Sequence, residues 1–243
     1  MHDIRIHPRE NDLVIGTHGR GIFIIDDITP LERLAEAERM SAAMYLFPAK
    51  PALLFNYNNS YPGGLRGAGS LGERSYSAPN PSFGATLTYY VKDSLPKGRT
   101  LTLAIFDSTN RRIRDLTVNT KKGLHRATWD LRLAAPYFNP RPQGNRGQPQ
   151  GAFVLPGRYT ARLTLSGRGD SVMATSVETQ VTVNADPLVQ LSAAEYRSLH
   201  DIRLRAASEQ ARVQGVVRTA EQLKEQMTEV KNALFRFTSI TLL

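Results

Sequence analysis

Cysteine is absent from this chain of 243 residues. Without cysteine the protein can form no disulfide bond, no thiolate nucleophile and no cysteine-based zinc site, and its redox compartment stays undetermined. The five histidines follow neither an HExxH pattern nor any similarly tight ligand spacing. The sequence therefore predicts no metal site and no cofactor.

Long apolar runs are absent as well. No stretch of about 18 apolar residues occurs that could cross a membrane as a helix, and the opening MHDIRIHPRE lacks the apolar centre of a signal peptide. We therefore predict no membrane span, and we find no signal peptide in these residues. The hydrophobic content of 41% is nevertheless enough to fill a core.

Positive charge is in excess, with 31 Lys and Arg against 22 Asp and Glu, a net charge of +9. Such an excess suggests a nucleic-acid or anionic partner. The positive residues are scattered, however, and the only local cluster has no interleaved aromatic residues for base stacking. It consists of Arg111, Arg112, Arg114, Lys121 and Lys122. The sequence thus favours an ordinary solvated basic face over nucleic-acid binding.

The first 28 residues read as three strands of one antiparallel sheet, with the glycine-rich loop Gly16-Thr17-His18-Gly19-Arg20-Gly21 between the second and the third. A dinucleotide-binding loop would need GxGxxG opening a helix. Here the glycines match neither that spacing nor a P-loop, and they lead into the strand-like IFII. Gly19 and Gly21 are better explained as positions of positive φ in a hairpin turn.

Two groups of polar side chains near this turn are candidates for function. His18 and Arg20 could contact a ligand or partner from the turn itself. Asp26 and Asp27 could act as paired carboxylates, but adjacent residues of a strand point to opposite faces and would not share a substrate. The pair is better read as a polar strand end.

A short helix is predicted at about residues 30–38, followed by an extended segment that contains two prolines. Residues 56–82 are rich in Gly, Ser, Asn and Pro and have no apolar period, which predicts a linker or surface loop. Tyr57 and Tyr61 within this segment could bind a sugar or a partner, or could anchor the loop to its neighbour.

Residues 83–186 contain six β-runs separated by Gly, Pro, Asn and Asp, which predicts a β-sandwich. Residues 134–153, rich in Pro, Gly and Gln, are predicted to form a mobile insertion. Trp129 shares a face with Ala127 and Leu131 in an alternating strand, so we expect it to anchor the core rather than to bind a ligand.

From Ser192 the apolar period changes to that of a helix. Ser192 and Glu195 suit a capping box, and apolar residues then recur three or four apart up to Phe237, with Glu209 at the one skipped position. This predicts one long helix or a helical hairpin over the tail 187–243, with Gly215 as a weak candidate for the turn. The apolar stripe would be covered by oligomerisation, by a partner helix or by the chain's own sandwich.

At this point the sequence resembles a known family. DIRIHPRENDLVIGTHGRGIFIIDDITPL is similar to the closing segment of bacterial BNR/Asp-box-repeat β-propeller proteins related to the sortilin propeller, which are described as glycosyl hydrolase-like. LTLAIFDSTNRRIRDLTVNTKKGLHRATWDLR and LPGRYTARLTL resemble the Ig-like module that follows that propeller, which is also similar to a module of flagellar hook-capping proteins. ADPLVQLSAAEYRSLHD resembles the family's helical tail.

The resemblance implies a mainly β chain whose residues 1–55 hold the last part of a propeller blade and a connecting segment. An Ig-like or fibronectin-like sandwich and the helical tail would follow. A propeller needs several four-stranded blades, and no S-x-D-x-G-x-x-W Asp box occurs here. We therefore expect Met1 to lie inside a longer gene, with the family's catalytic residues carried by upstream blades and none by this chain.

Two functions follow from this resemblance. In the first, the chain is a non-catalytic part of a secreted or periplasmic propeller protein that supports the upstream blades or binds a protein or glycan. In the second, the parent is a glycosyl hydrolase-like enzyme, and the surface around His18, Arg20, Tyr57 and Tyr61 forms part of the rim of its site. In either case, strands of an incomplete blade would have exposed edges that can pair with another chain.

Overall fold

A computed structural model of the chain describes residues 3–19, 21–55, 82–95, 98–137, 149–166 and 175–240. Most elements are strands, and one long helix closes the chain. The protein divides into unit 1, Met1–Leu131 with Pro156–Asp186, and unit 2, Arg132–Leu155 with Pro187–Leu243. The predicted linker 56–82 lies outside the described residues except for Ser82, and so does the centre of the predicted insertion, residues 138–148.

Unit 1 begins with a small antiparallel sheet of three strands in the order β1-β2-β3. The strands are β1 (Asp3–Ile6), β2 (Leu13–Gly16) and β3 (Ile22–Ile25). Each is a four-residue run rich in Ile and Val, residues whose branched side chains favour extended backbone. The predicted three-stranded sheet is thus confirmed.

Two short helices follow, α1 (Thr29–Glu32) and α2 (Leu34–Arg39). Pro30 lies in the first turn of α1, where its missing N–H costs no intrahelical bond. The single helix predicted at 30–38 is therefore present as two segments, which meet at Arg33 with φ −96° and ψ 4°. Ala37 on α2 is buried.

The rest of unit 1 consists of two further sheets. One contains β5 (Ala52–Leu54), β7 (Thr100–Phe106), β8 (Arg112–Leu116), β10 (Gly157–Ser166) and β11 (Thr175–Ala185). Its strand order is β5-β11-β10-β7-β8, and only the β11–β5 pair is parallel. The other sheet contains β4 (Met44–Leu46), β6 (Ala85–Val91) and β9 (Gly123–Trp129), in the order β4-β6-β9. All six predicted β-runs after residue 83 are strands.

Trp129 lies where these two sheets meet. Its side chain is fully buried, as predicted, and its ring contacts that of Tyr159 on β10 edge to face at 5.2 Å between centroids. Ala161, Leu163 and Leu165 alternate along β10 and are all buried. This alternation places the apolar face of β10 in the core and its polar residues on the other face.

Strand β6 is buried on both faces. Leu87 and Tyr89 belong to the fully buried core, whereas Tyr90, on the opposite face, packs in a cluster with Phe47 and with Ala37 of α2. Helix α2 thus covers one face of this sheet. The double coverage holds over residues 88–91, which are all buried, whereas the first half of the strand alternates and Thr86 is exposed.

Unit 2 contains α3 (Ala193–Ile240), a single helix of 48 residues. The predicted capping box is present, because Glu195 N donates to Ser192 Oγ (3.3 Å) and Ser192 N donates to the Glu195 carboxylate (2.7 Å). These hydrogen bonds hold the pKa of Glu195 below its ordinary value, with the Ser192 hydroxyl as the main cause. Gly215 does not interrupt the helix, so the structure contains one long helix and no helical hairpin.

The segment before α3 in unit 2 is held to the start of the helix by Phe153. Its ring lies under the Arg132 guanidinium at 3.6 Å and near that of Arg203 at 5.6 Å. The Phe153 carbonyl oxygen is 2.8 Å from His200 Nδ1, and Arg132 Nη1 donates to Gly151 O at 2.9 Å. These contacts cover one side of the first turns of α3.

Two glycines should respond oppositely to replacement by alanine. A Cβ on Gly84 would lie 2.0 Å from the Trp129 carbonyl oxygen, on a backbone with φ +125°. We expect Gly84→Ala to destabilise unit 1 by more than about 2 kcal/mol. A Cβ on Gly215 meets nothing within 4 Å, so Gly215→Ala should stabilise α3 by up to about 1 kcal/mol.

Urea unfolding followed by tryptophan fluorescence reports on Trp129, and circular dichroism at 222 nm reports on α3. Similar unfolding midpoints for Gly84→Ala and the parent chain would contradict the close approach of the Gly84 backbone to the Trp129 carbonyl group.

Candidate interaction surfaces

Of the four residues predicted to form a ligand or partner surface, the structure describes one. His18 is exposed in the loop between β2 and β3. Arg20, Tyr57 and Tyr61 lie outside the described residues. The prediction that these residues share a surface is therefore untested.

The glycine-rich loop is a turn between strands. Gly19 and Gly21 have φ of 78° and 92°, which confirms the predicted positive φ. Thr17 closes the turn, since its N–H and its hydroxyl both donate to the Gly21 carbonyl oxygen, at 3.2 and 2.7 Å. The loop continues into β3 and not into a helix, so it lacks the free helix N-terminus that binds a pyrophosphate.

The candidate carboxylates Asp26 and Asp27 lie beyond the end of β3, so strand alternation does not set their directions. Asp27 adopts φ 47° as the chain leaves the sheet, and its N–H donates to Asp12 Oδ1 at 2.9 Å. Lys50 Nζ lies 3.6 Å from Asp12 Oδ1 and 3.9 Å from Asp27 Oδ1, and it also donates to the Glu10 carbonyl oxygen. The paired carboxylates here are Asp12 and Asp27, and they surround a lysine.

Arg126 on β9 completes this attachment. Its Nη2 donates to the carbonyl oxygens of Asp26 (2.6 Å) and Asp27 (2.9 Å). Charged side chains thus join the sheet β1-β2-β3 to the rest of unit 1 just after the C-terminal end of β3. Neither Lys50 nor Arg126 stood out in the sequence, because their partners are distant along the chain: 40 positions from Lys50 to Glu10 and 100 from Arg126 to Asp26.

The basic cluster is largely neutralised by its neighbours. Four of its five residues lie within 4 Å of a carboxylate oxygen, which leaves little net positive charge for a phosphate backbone. The pairs are Arg111–Asp107 at 3.1 Å, Arg112–Asp115 at 2.5 Å, Arg114–Asp130 at 3.3 Å and Lys122–Asp93 at 3.8 Å. This pairing agrees with the solvated basic face expected from the sequence.

Histidines in unit 1 and unit 2 have structural partners. His125 Nε2 lies 2.7 Å from the Lys121 carbonyl oxygen, and its ring contacts that of Tyr89. The Tyr89 hydroxyl in turn accepts from Asn119 N at 2.7 Å, and burial raises the pKa of this phenol. Within the described parts of the chain, no group of three or more His, Asp or Glu side chains could hold a metal ion.

Both faces of the sheet β1-β2-β3 carry exposed apolar side chains. Ile22 and Ile24 are 72% and 61% exposed on one face of β3, and Phe23 is 55% exposed on the other. Ile4 and Ile6 of β1 are also exposed. Apolar residues on both faces of a sheet are expected where further layers cover it, so these faces form the first candidate interaction surface.

The second candidate surface is the apolar stripe of α3. From residue 213 onward its members are Val213, Val216, Ala220, Leu223, Met227, Val230 and Leu234, and we call this set the α3 seam. All seven side chains are exposed. Across the part of the chain that the structure describes, no helix is both long enough and apolar enough to span a membrane.

Comparison of the chain with protein-family models, with curated proteins and with solved structures found no match. The resemblance to BNR-repeat propellers therefore remains a prediction from the sequence motifs.

Asp107 should make stability depend on pH. Its carboxylate accepts from the Thr109 hydroxyl (2.6 Å) and from the N–H of Arg111 and of Thr109 (each 3.0 Å). These bonds, the Thr109 hydroxyl first, hold the pKa of Asp107 below its ordinary value of 3.8. The folded state therefore favours the ionised form. This stabilisation is full above the unfolded pKa and is lost as the pH falls through the lower folded pKa.

Asp107→Asn should consequently lower the free energy of unfolding by about 1 kcal/mol at pH 7, and the difference from the parent chain should shrink as the pH falls below the ordinary value of 3.8. Asp115→Asn, which alters an exposed pair on β8, is the control and should change stability by less than about 0.5 kcal/mol. Urea unfolding at a series of pH values measures both. A difference for Asp107→Asn that stays constant down to pH 2 would contradict the proposed ionisation.

Proposed function

We propose that this chain is the non-catalytic C-terminal part of a sortilin-like BNR-repeat propeller protein. In this proposal the sheet β1-β2-β3 belongs to the last blade, and the two sheets that follow form an Ig-like sandwich. The chain supports the upstream blades and binds a protein or glycan partner. The parent protein would be secreted or periplasmic, as the resemblance implies.

The observation that carries this proposal is the apolar character of both faces of the sheet β1-β2-β3. A sheet of three strands is at the lower limit of independent stability, and here it leaves apolar side chains exposed on both faces. In a propeller each blade is covered on both faces by its neighbours, which would remove side chains such as Ile24 and Phe23 from water. The sequence motifs that resemble the family's closing blade are the same strands.

The alternative function, part of a glycosyl hydrolase-like enzyme, finds less support among the described residues. Asp12 and Asp27 are the carboxylates that come together near the candidate turn, and they surround Lys50. Because the Lys50 ammonium lies between these two carboxylates, they do not form an unpaired acid and nucleophile that face a shared substrate. Under this alternative the catalytic carboxylates would lie in upstream blades.

The proposal can be tested with the whole protein that the gene encodes. We expect an in-frame sequence upstream of Met1 that encodes Asp-box blades. In that protein Ile24→Ser should lower stability by about 2–4 kcal/mol, because the side chain would be buried between blades. In the 243-residue chain alone, the same change should cost less than about 0.5 kcal/mol.

Leu163→Ser is the matched control, because Leu163 is fully buried within unit 1 and its loss should destabilise both proteins. Differential scanning calorimetry of thermal unfolding measures the change in stability for each of the two substitutions in each of the two proteins. An upstream sequence without blades, or an equal and small effect of Ile24→Ser in both proteins, would overturn the proposal.

A further inference from the structure

Most of the apolar residues of α3 repeat with a period of seven, and between Leu199 and Phe237 the larger ones outside this repeat are Leu204, Val217 and Phe235. In heptad notation, the a positions are Leu199, Ala206, Val213, Ala220, Met227 and Leu234. The d positions are Ile202, Glu209, Val216, Leu223, Val230 and Phe237. Glu209 is the one polar member, and in this structure its carboxylate is paired with Arg212 at 2.9 Å.

A heptad repeat favours a helix as the binding partner over a flat surface such as a membrane or a β-sheet. A straight α-helix drifts by about 20° per heptad relative to a seven-residue repeat, or roughly 60° over three heptads. A stripe that lies on a flat surface keeps contact best when it follows the helix period of 3.6 residues. A stripe that keeps period seven is matched over its whole length by a second helix that supercoils around it.

The α3 seam is the longest exposed part of this stripe, although Ile202 ahead of it is also 57% exposed. Ahead of it, the contacts of Phe153 with His200 and Arg203 cover one side of the first turns. Within the seam, Val213, Val216, Leu223, Met227, Val230 and Leu234 are each between 56% and 70% exposed. The seam extends over about three heptads, or roughly 33 Å of helix.

The positions that flank the seam are basic or neutral throughout. The e positions are Arg203, Gln210, Val217, Lys224 and Lys231, and the g positions are Arg205, Arg212, Thr219, Gln226 and Ala233. The glutamates of this part of the helix, Glu221, Glu225 and Glu229, occupy positions on the opposite side. In a coiled coil the e and g positions face the partner's flanks and set its identity.

A second copy of this chain fits the seam poorly. Its own flanks are basic or neutral, so a parallel pair in register would gain no interhelical ion pair between the e and g positions. In a parallel pair in register, Glu209 of the seam stripe would also meet Glu209 of the copy. A partner helix with acidic flanks can form ion pairs with the basic flanks of α3, and it can place a basic residue opposite Glu209.

We propose that the α3 seam binds an amphipathic helix of another protein that carries apolar residues at a and d and acidic residues at e and g. This inference deepens the partner-binding role proposed above and rests on it. The partner is defined by its charge: it carries Glu or Asp side chains opposite Lys224 and Lys231, since Arg212 is already paired with Glu209.

The test uses the full chain and two labelled peptides of four heptads. Both peptides have Leu at a and d, and they differ only in having Glu or Lys at every e and g position. Repulsion between like charges keeps each peptide from pairing with itself. Fluorescence anisotropy at low salt should show the Glu peptide binding at least about tenfold more tightly than the Lys peptide, with the ratio falling as salt is added.

A charge-reversal variant distinguishes recognition by charge from a simple loss of folding. The double variant Lys224→Glu/Lys231→Glu should reverse the preference, so that the Lys peptide binds more tightly. Arg218→Glu, at an f position away from the seam, is the matched control and should leave the preference unchanged. Leu223→Gln/Met227→Gln should abolish binding of the Glu peptide while circular dichroism shows that α3 remains helical.

Three results would overturn the inference. The first is equal affinity for the two peptides, or none for either. The second is dimerisation of the chain alone in analytical ultracentrifugation, lost on Leu223→Gln/Met227→Gln, which would identify a second copy as the occupant. The third is binding to phosphatidylglycerol vesicles that competes with the Glu peptide. None of these results bears on Ile24 and the blade, because those residues lie in unit 1 and the seam lies in unit 2.

Discussion

Burial of β6 on both faces is the constraint on which the rest of unit 1 depends. One face packs in the core with Trp129, and the other packs under Ala37 and Phe47. The chain therefore places α2 over a sheet whose strands β4, β6 and β9 all follow the helix in sequence. The close approach of Gly84 to the Trp129 carbonyl follows from the same arrangement, since a side chain there would separate β6 from the end of β9.

Periodicity in the sequence was sufficient to predict most of the elements. Ile and Val runs predicted β1, β2 and β3, and the capping box placed the start of α3 within a residue. The break at Arg33 was missed because helix propensity varies little across these residues. The attachment by Lys50 and Arg126 was also missed, because a lone cation in a sequence gives no information about which distant carbonyl or carboxylate it will reach.

The two exposed apolar surfaces are of different kinds. The sheet β1-β2-β3 presents short, branched side chains on two sides, as a layer between other layers would. The α3 seam presents one narrow stripe with basic flanks and a fixed period of seven residues, as one strand of a coiled coil would. The sequence alone predicted that the apolar stripe of α3 packs against another element. The exposure of Val213 and Val216 shows that this part of the stripe has no such packing within the described residues.

The contact between Arg126 and the end of β3 has an evolutionary consequence. Arg126 donates to two main-chain carbonyl oxygens, and every amino acid provides the same carbonyl. The side chain of Asp26 is exposed, so the contact places no restriction on the residue at position 26. The guanidinium, by contrast, reaches both oxygens from a single nitrogen, and a shorter or uncharged side chain would lose them. Substitutions are therefore expected to accumulate at one end of this contact while the other end is held under purifying selection.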